Sequence, residues 1–149
     1  MRLAADASSL VAESLRVRGE WLIAHADLTL YITEPTWSEV EHEVGRRLDA
    51  MVRHGRLLPA ELEPFRANRL SLLSRHLTVV TEADYREYEI AARDRIPRDP
   101  NDWPTVALAL SLGAGIWTND YDFFGCGVPV WTTQTLLTHL TTGRAQLDR

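Results

Sequence analysis

Lysine is missing from this chain: all 16 basic residues among its 149 are arginine. That removes every mechanism that depends on a lysine amine. Cysteine is almost missing too. Cys126 stands alone, so no internal disulfide can form, and the composition fits a reducing cytoplasm. No apolar run approaches the roughly 18–20 residues of a membrane span. The first residues, Met1-Arg2-Leu3-Ala4-Ala5-Asp6, lack the basic, apolar and cleavage regions of a signal peptide. A cytoplasmic protein with no membrane partner is expected. Positive charge is in deficit: the formal net charge is −5, so no global field draws in a polyanion. Any nucleic-acid role must use a local arginine patch or metal ions held by acids. A glycine-rich phosphate loop is absent as well. Ala7-Ser8-Ser9 is not one, and Gly125-Cys126-Gly127 lacks a strand-to-helix setting.

What remains is an ordinary globular composition, 45% hydrophobic and 25% charged, without repeats, low-complexity tracts or linkers. The pattern predicts one α/β domain over 1–142 and a short polar tail over 143–149. A first strand ending at Asp6 leads into a helix through about residue 16, and a short helix over 20–26 follows. The β-rich run 28–32 is a second strand. From Pro35-Thr36 a helix carries Trp37, Val40, Val44, Leu48, Met51 and Val52 at helical spacing, so one stripe faces a core. A helix over 60–74, a strand over 77–80 and a helix over 82–93 continue the alternation. Strands alternating with helices predict a central parallel sheet of about five strands, covered on both faces.

The densest stretch is 98–123. A turn at Arg98-Asp99-Pro100 opens a helix at Asn101 or Asp102, with Pro104 in the first turn where its missing N–H costs nothing. The helix is apolar on nearly every face and stops at Gly113. A buried strand over 114–118 then delivers Asn119-Asp120-Tyr121-Asp122. A fifth strand over 128–131 and a helix over 135–140 close the pattern.

In such a sheet Asp6, Glu39, Asp102 and Asp120 converge on one edge, where parallel α/β folds place their ligands. Crowded carboxylates raise each other's pKa values, and a divalent cation resolves the conflict. Magnesium takes oxygen ligands from a few carboxylates and keeps several waters. Asp6 alone also fits a helix N-cap. Glu43 has an ion-pair partner in Arg47 four residues on, whereas Glu39 has none. Asp99 is an alternative to Asp102, and Asp122 can share the role of Asp120. The five histidines are scattered without zinc-ligand spacing. Of the tryptophans, Trp37, Trp117 and Trp131 belong to core segments. Trp103, beside Asp102, stays open as a base-stacking group.

Asp6-Ala7-Ser8 with Leu10, Thr36-Trp37-Ser38-Glu39-Val40, and Asp102 with Val106-Ala107-Leu108-Ala109 running on to Trp117-Thr118-Asn119-Asp120-Tyr121-Asp122-Phe123 resemble the PIN-domain ribonucleases, which include the VapC-type toxins. The resemblance implies a PIN fold and catalytic, metal-holding acids at Asp6, Glu39, Asp102 and Asp120, with Asp122 as a further ligand. It implies Mg²⁺ or Mn²⁺ as cofactor and hydrolysis of RNA phosphodiesters to 5′-phosphate and 3′-hydroxyl ends. Ser8 helps to position the ligand cluster and Arg98 holds a flanking phosphate. A cognate antitoxin and a homodimer are the further partners it suggests, the dimer helped by leucines at 57–58 and 70–73. The other reading is a non-catalytic PIN-like module that binds RNA or protein. Receiver domains and haloacid-dehalogenase-like phosphatases also put carboxylates at strand ends, but both need the lysine that is missing here.

Overall fold

Five short strands carry the architecture: β1 (Arg2–Ala5), β2 (Thr29–Thr33), β3 (Leu77–Val80), β4 (Gly115–Trp117) and β5 (Val130–Trp131). In the computed structural model, which describes the backbone of residues 1–147 and the side chains of 1–142, they form one wholly parallel sheet. Its order is β3-β2-β1-β4-β5. Parallel neighbours need crossovers. Helices α1 (Ala7–Ser14) and α2 (Val17–Ile23) join β1 to β2, and α3 (Glu34–Arg53) and α4 (Leu62–His76) join β2 to β3. Helices α5 (Glu89–Arg95) and α6 (Trp103–Leu112) join β3 to β4, and α7 (Thr133–Leu147) follows β5.

Side chains alternate strictly across the sheet, as a period of two requires. Leu3, Ala5, Leu30, Ile32 and Trp117 face a core shared with Leu10, Val40, Val44, Leu48, Leu73 and Leu136. Ala4 and Ile116 face the other side, with Tyr85, Ala92, Ile96, Val106 and Leu108. The central strands β1, β2 and β4 are largely buried on both faces, which explains why they read as short, mostly apolar runs. The expected α/β domain with helices on both faces of a five-stranded parallel sheet is the fold observed.

Several boundaries differ, each for a local reason. The stretch expected as one helix over 82–93 begins with 3₁₀ turns at Glu82–Asp84 and Arg86–Tyr88, and only then becomes α5. Thr81 donates its hydroxyl to Asp84 (3.1 Å), a side-chain bond that competes with helix, and Tyr85 leaves helical geometry to lie fully buried. The strand expected over 128–131 pairs only at Val130 and Trp131, because Pro129 has no N–H to give the ladder. Gly113 does end α6, in the left-handed conformation at φ 57°. The closing helix starts at Thr133 and enters the stretch expected as a tail; residues 148 and 149 lie outside the described residues. Leu72 and Leu73, expected to help a dimer surface, are core, whereas Leu58 is 65% exposed. Among the described residues no helix is long and apolar enough to cross a membrane.

Candidate active site

β1 and β4 are neighbours, yet the chain leaves β1 for β2 on the opposite side. The crevice outside their C-terminal ends is therefore a topological switch point, the usual ligand position in such sheets. Register fills it with acids. Ala5 pairs with Trp117, and the Asp6 N–H continues the ladder to the Trp117 carbonyl at 3.0 Å. Asp6 thus lies beside Thr118. One carboxylate oxygen of Asp6 accepts from the Ser8 hydroxyl (2.6 Å) and from the Thr118 hydroxyl (3.1 Å). Asp6 occupies the N-cap position of α1 but makes no side-chain cap bond. Capping does not account for it.

Thr118 links two acids, since its hydroxyl oxygen also accepts from the Asp120 N–H at 3.0 Å. The Asp120 carboxylate in turn accepts from the Asp122 N–H (2.9 Å), which starts the 3₁₀ turn Tyr121–Phe123. The turn is anchored from both sides. Asn119 donates its N–H to the Ser9 hydroxyl (2.9 Å), and its side-chain amide both accepts from the Thr133 N–H (2.9 Å) and donates to the Thr133 hydroxyl (3.1 Å). That hydroxyl also accepts from the Trp117 indole N–H at 3.1 Å. Sequence reasoning missed Thr118, Asn119 and Thr133. The available signal was a hydroxyl and an amide directly before an acid at a strand exit.

Asp102 ends the 3₁₀ turn Pro100–Asp102 and opens α6. Asp99 starts that turn and accepts from the Asn101 N–H at 3.1 Å. Arg93 of α5 donates to the Pro100 carbonyl (3.2 Å), lies over the Trp103 ring (5.2 Å) and pairs with Glu89 (2.9 Å). Trp103 also packs on Tyr85, with ring centroids 5.8 Å apart. Trp103 is partly buried, and these contacts make it a prop for the Asp102 turn. Glu39 is exposed on the second turn of α3, whose start is fixed by the Thr33 oxygen accepting from the Thr36 N–H (3.3 Å) with Pro35 in the first turn.

Electrostatics show which acids share a space. Burial pushes the Asp102 carboxyl up to about 7, helped by the charges of Asp6, Asp99, Asp120 and Glu39. Burial likewise raises Asp6, against hydrogen bonds from Ser8, Thr118 and the Ala7 backbone that favour its charged form, and Asp120 adds to the rise. Glu39, although exposed, is raised by partial desolvation, and Asp6 and Glu43 add to the rise. Glu43 moves the other way: the Arg46 hydrogen bond holds its carboxyl below the usual range, and Arg47 adds to this. Arg46 grips both Glu43 oxygens (2.9 and 3.0 Å), a partner at i+3 unforeseen beside Arg47 at i+4 (3.3 Å). The Asp122 carboxylate lies 3.7 Å from the exposed Arg98 guanidinium.

Asp6, Glu39, Asp99 and Asp120 thus all lie near enough to Asp102 for their charges to act on it. Among the described residues no three His, Cys, Asp or Glu side chains are set to enclose an ion by themselves. The donor chemistry still fits one class of cation. Hard carboxylate oxygens that repel one another, without histidine or cysteine, suit an ion that keeps waters between itself and some of its partners.

Comparison with known proteins supports the fold. The solved structure described as "Crystal Structure of PAE2754 from Pyrobaculum aerophilum" is similar over 95% of this chain and 96% of that chain, with TM-score 0.65 and 23% identity, a likeness of fold. No curated protein matches the sequence significantly. The family model for the PIN domain matches residues 5–141, from just before the first acid of the cluster to well beyond the last. The chain belongs to the PIN-domain family.

Proposed function

We propose that this PIN domain is a metal-dependent endoribonuclease, hydrolysing RNA phosphodiesters to 5′-phosphate and 3′-hydroxyl ends. PIN domains are generally nucleases. One observation supports the extension to this chain: at the C-terminal edge of the sheet the Asp102 carboxyl is raised to about 7, by burial and then by the charges of Asp6, Asp99, Asp120 and Glu39. Asp6, Glu39, Asp102 and Asp120 would hold Mg²⁺ or Mn²⁺. When bound, such a cation polarises water for attack and offsets charge on the phosphate. The protein's own part is placement. Ser8 and Thr118 fix Asp6, the Asp122 N–H orients Asp120, and Arg93 steadies the turn that carries Asp102. Arg98 is the phosphate contact, in equilibrium with its pairing to Asp122, and Asp122 is free to serve as a further ligand once released.

The toxin role, an antitoxin encoded next to this chain and a homodimer belong to the same proposal. So does a reducing, cytoplasmic setting, in which the buried Cys126 stays a free thiol. Co-expression with the product of the neighbouring upstream gene and sedimentation at micromolar concentration test the partners.

The activity is tested with purified protein and end-labelled RNA. Cleavage is expected with Mn²⁺ and not with EDTA, and Asp120→Asn is expected to abolish it while leaving the fold intact. An active Asp120→Asn protein, or a wild type inert with either ion, overturns the reading; in the second case a non-catalytic RNA- or protein-binding module takes its place.

Metal binding has its own signature. Ligands that bind only the native state raise Tm by mass action, so Mn²⁺ should raise it for wild type. Glu39→Gln is expected to lose that shift. Glu43→Gln keeps it, because Glu43 is occupied by Arg46 and Arg47. Thermal unfolding of the three proteins with EDTA and with Mn²⁺ decides; the opposite pattern would move the ligand one turn along α3.

A further inference from the structure

Beside the acids lies an aromatic pair that the fold does not use. Tyr121 directly follows Asp120, and Phe124 lies three residues on, beyond the turn Tyr121–Phe123. Their side chains do not sink into either core. Tyr121 is 75% exposed and Phe124 43%, while Phe123 between them is fully buried. The rings meet at 5.4 Å with an interplanar angle of 38°, and their exposure leaves the Tyr121 ring accessible to solvent. The burial of Phe123 and the bond from the Asp122 N–H to Asp120 hold the turn in place. The pair is thus carried by the same turn that orients a site acid.

We propose that Tyr121 and Phe124 form a stacking platform for an unpaired nucleobase of the RNA, next to the phosphate held at the acids. This rests on the nuclease reading and adds to it how the substrate is gripped. Three features select a base as the occupant. The approach to the site is crowded with carboxylates, and the chain is net negative by five charges. Phosphate contacts alone therefore meet repulsion, and an uncharged π-face adds attraction without adding charge. Stacking needs an unpaired base, which suits an open, exposed pair of rings. The tryptophan nearest the acids in sequence, Trp103, is partly buried against Tyr85 and Arg93, whereas Tyr121 is the most exposed aromatic among the described residues. The platform would tolerate many sequences, since every base has a π-face.

The test is binding of a short single-stranded RNA in EDTA, where no cleavage occurs, followed by fluorescence anisotropy. A second RNA of the same length carries abasic sites throughout. Tyr121→Ala is expected to weaken the base-bearing RNA about tenfold, or about 1.4 kcal/mol. Tyr121→Trp is expected to restore it, and the abasic RNA should bind wild type and Tyr121→Ala alike. Phe124→Ala should act in the same direction, its Tm checked because Phe124 is half-buried. With Mn²⁺, Tyr121→Ala should raise KM and keep kcat. Equal binding of base-bearing RNA by wild type and Tyr121→Ala overturns the platform, as does an equal loss for the abasic strand. A Tyr121→Ala change that turns a dimer into a monomer also overturns it, marking the pair as a contact between copies. The two readings fail separately. Base-dependent binding without cleavage at any metal concentration would sink the nuclease, and cleavage indifferent to Tyr121 would sink the platform.

Discussion

Asp102→Asn is expected to remove metal-dependent RNA cleavage, by about 10²-fold or more, and yet to make the metal-free protein more stable at pH 8. The two effects have one origin. Burial first, and then Asp6, Asp99, Asp120 and Glu39, raise this carboxyl from 3.8 to about 7. Between those values the folded chain still carries a proton that the unfolded chain has released. Where the unfolded state binds fewer protons, stability falls as pH rises. The penalty thus begins near pH 4, grows to pH 7 and is complete above it. Asparagine never ionises, so the variant and wild type should differ little at pH 4 and most at pH 8. Solvent reaches Asp102, which is only partly buried; with that screening the gain is about 1 kcal/mol, or about 2–4 °C in Tm for a chain of this size. Mn²⁺ reverses the ranking, because the cation favours the ionised carboxylate and stabilises wild type alone. Thermal melts at pH 4.5, 6 and 8, with EDTA and with Mn²⁺, read both signs. A metal-free Asp102→Asn protein that melts below wild type at pH 8 would mean that this acid is not under repulsion.

The edge that carries these acids was legible in the sequence because register and topology do most of the placing. A parallel sheet puts all strand exits on one edge, so Asp6 after β1 and Asp120 after β4 come to it whatever the loops do. Alternation of short apolar runs with helical stripes was enough to find the sheet. The sequence was less informative wherever position depends on contacts between distant residues. Thr118 works for Asp6, 112 residues away, and Thr133 is held by Asn119 across 14; no local pattern announces either. Trp103 looks open from its place beside Asp102, and its packing against Tyr85 and Arg93 is visible only in three dimensions. Nothing in the sequence separates Tyr121 and Phe124 from Phe123, and a tight turn determines which of the three goes inside.

The seam between α1 and α2 illustrates the same limit, and it carries the largest expected loss of stability. Gly19→Ala should lower stability by about 3 kcal/mol or more, a Tm drop of about 6–12 °C. A Cβ at Gly19 would stand 1.8 Å from the Glu13 carbonyl oxygen, 2.4 Å from its carbon and 2.7 Å from its Cα. These are backbone atoms, so no side chain can swing away. The Glu13 carbonyl also accepts the Arg16 N–H at 3.0 Å, and its carboxylate, 1% exposed, is held by Arg16 (2.9 Å) and Arg18 (2.9 Å). The two segments are pinned on both sides of the contact. Alanine's better helix propensity works against this loss but is worth only about 1 kcal/mol, so the clash decides the sign. Gly45 is the control. It too is inside a helix, but a Cβ there meets only the Arg66 guanidinium, at 3.4 Å, the far end of a flexible side chain. Gly45→Ala should therefore be neutral or stabilising by up to about 1 kcal/mol. Urea unfolding of both variants separates the cases. If Gly19→Ala matches wild type within 1 kcal/mol, α2 is able to move off α1, and the Glu13 ion pairs do not fix the seam.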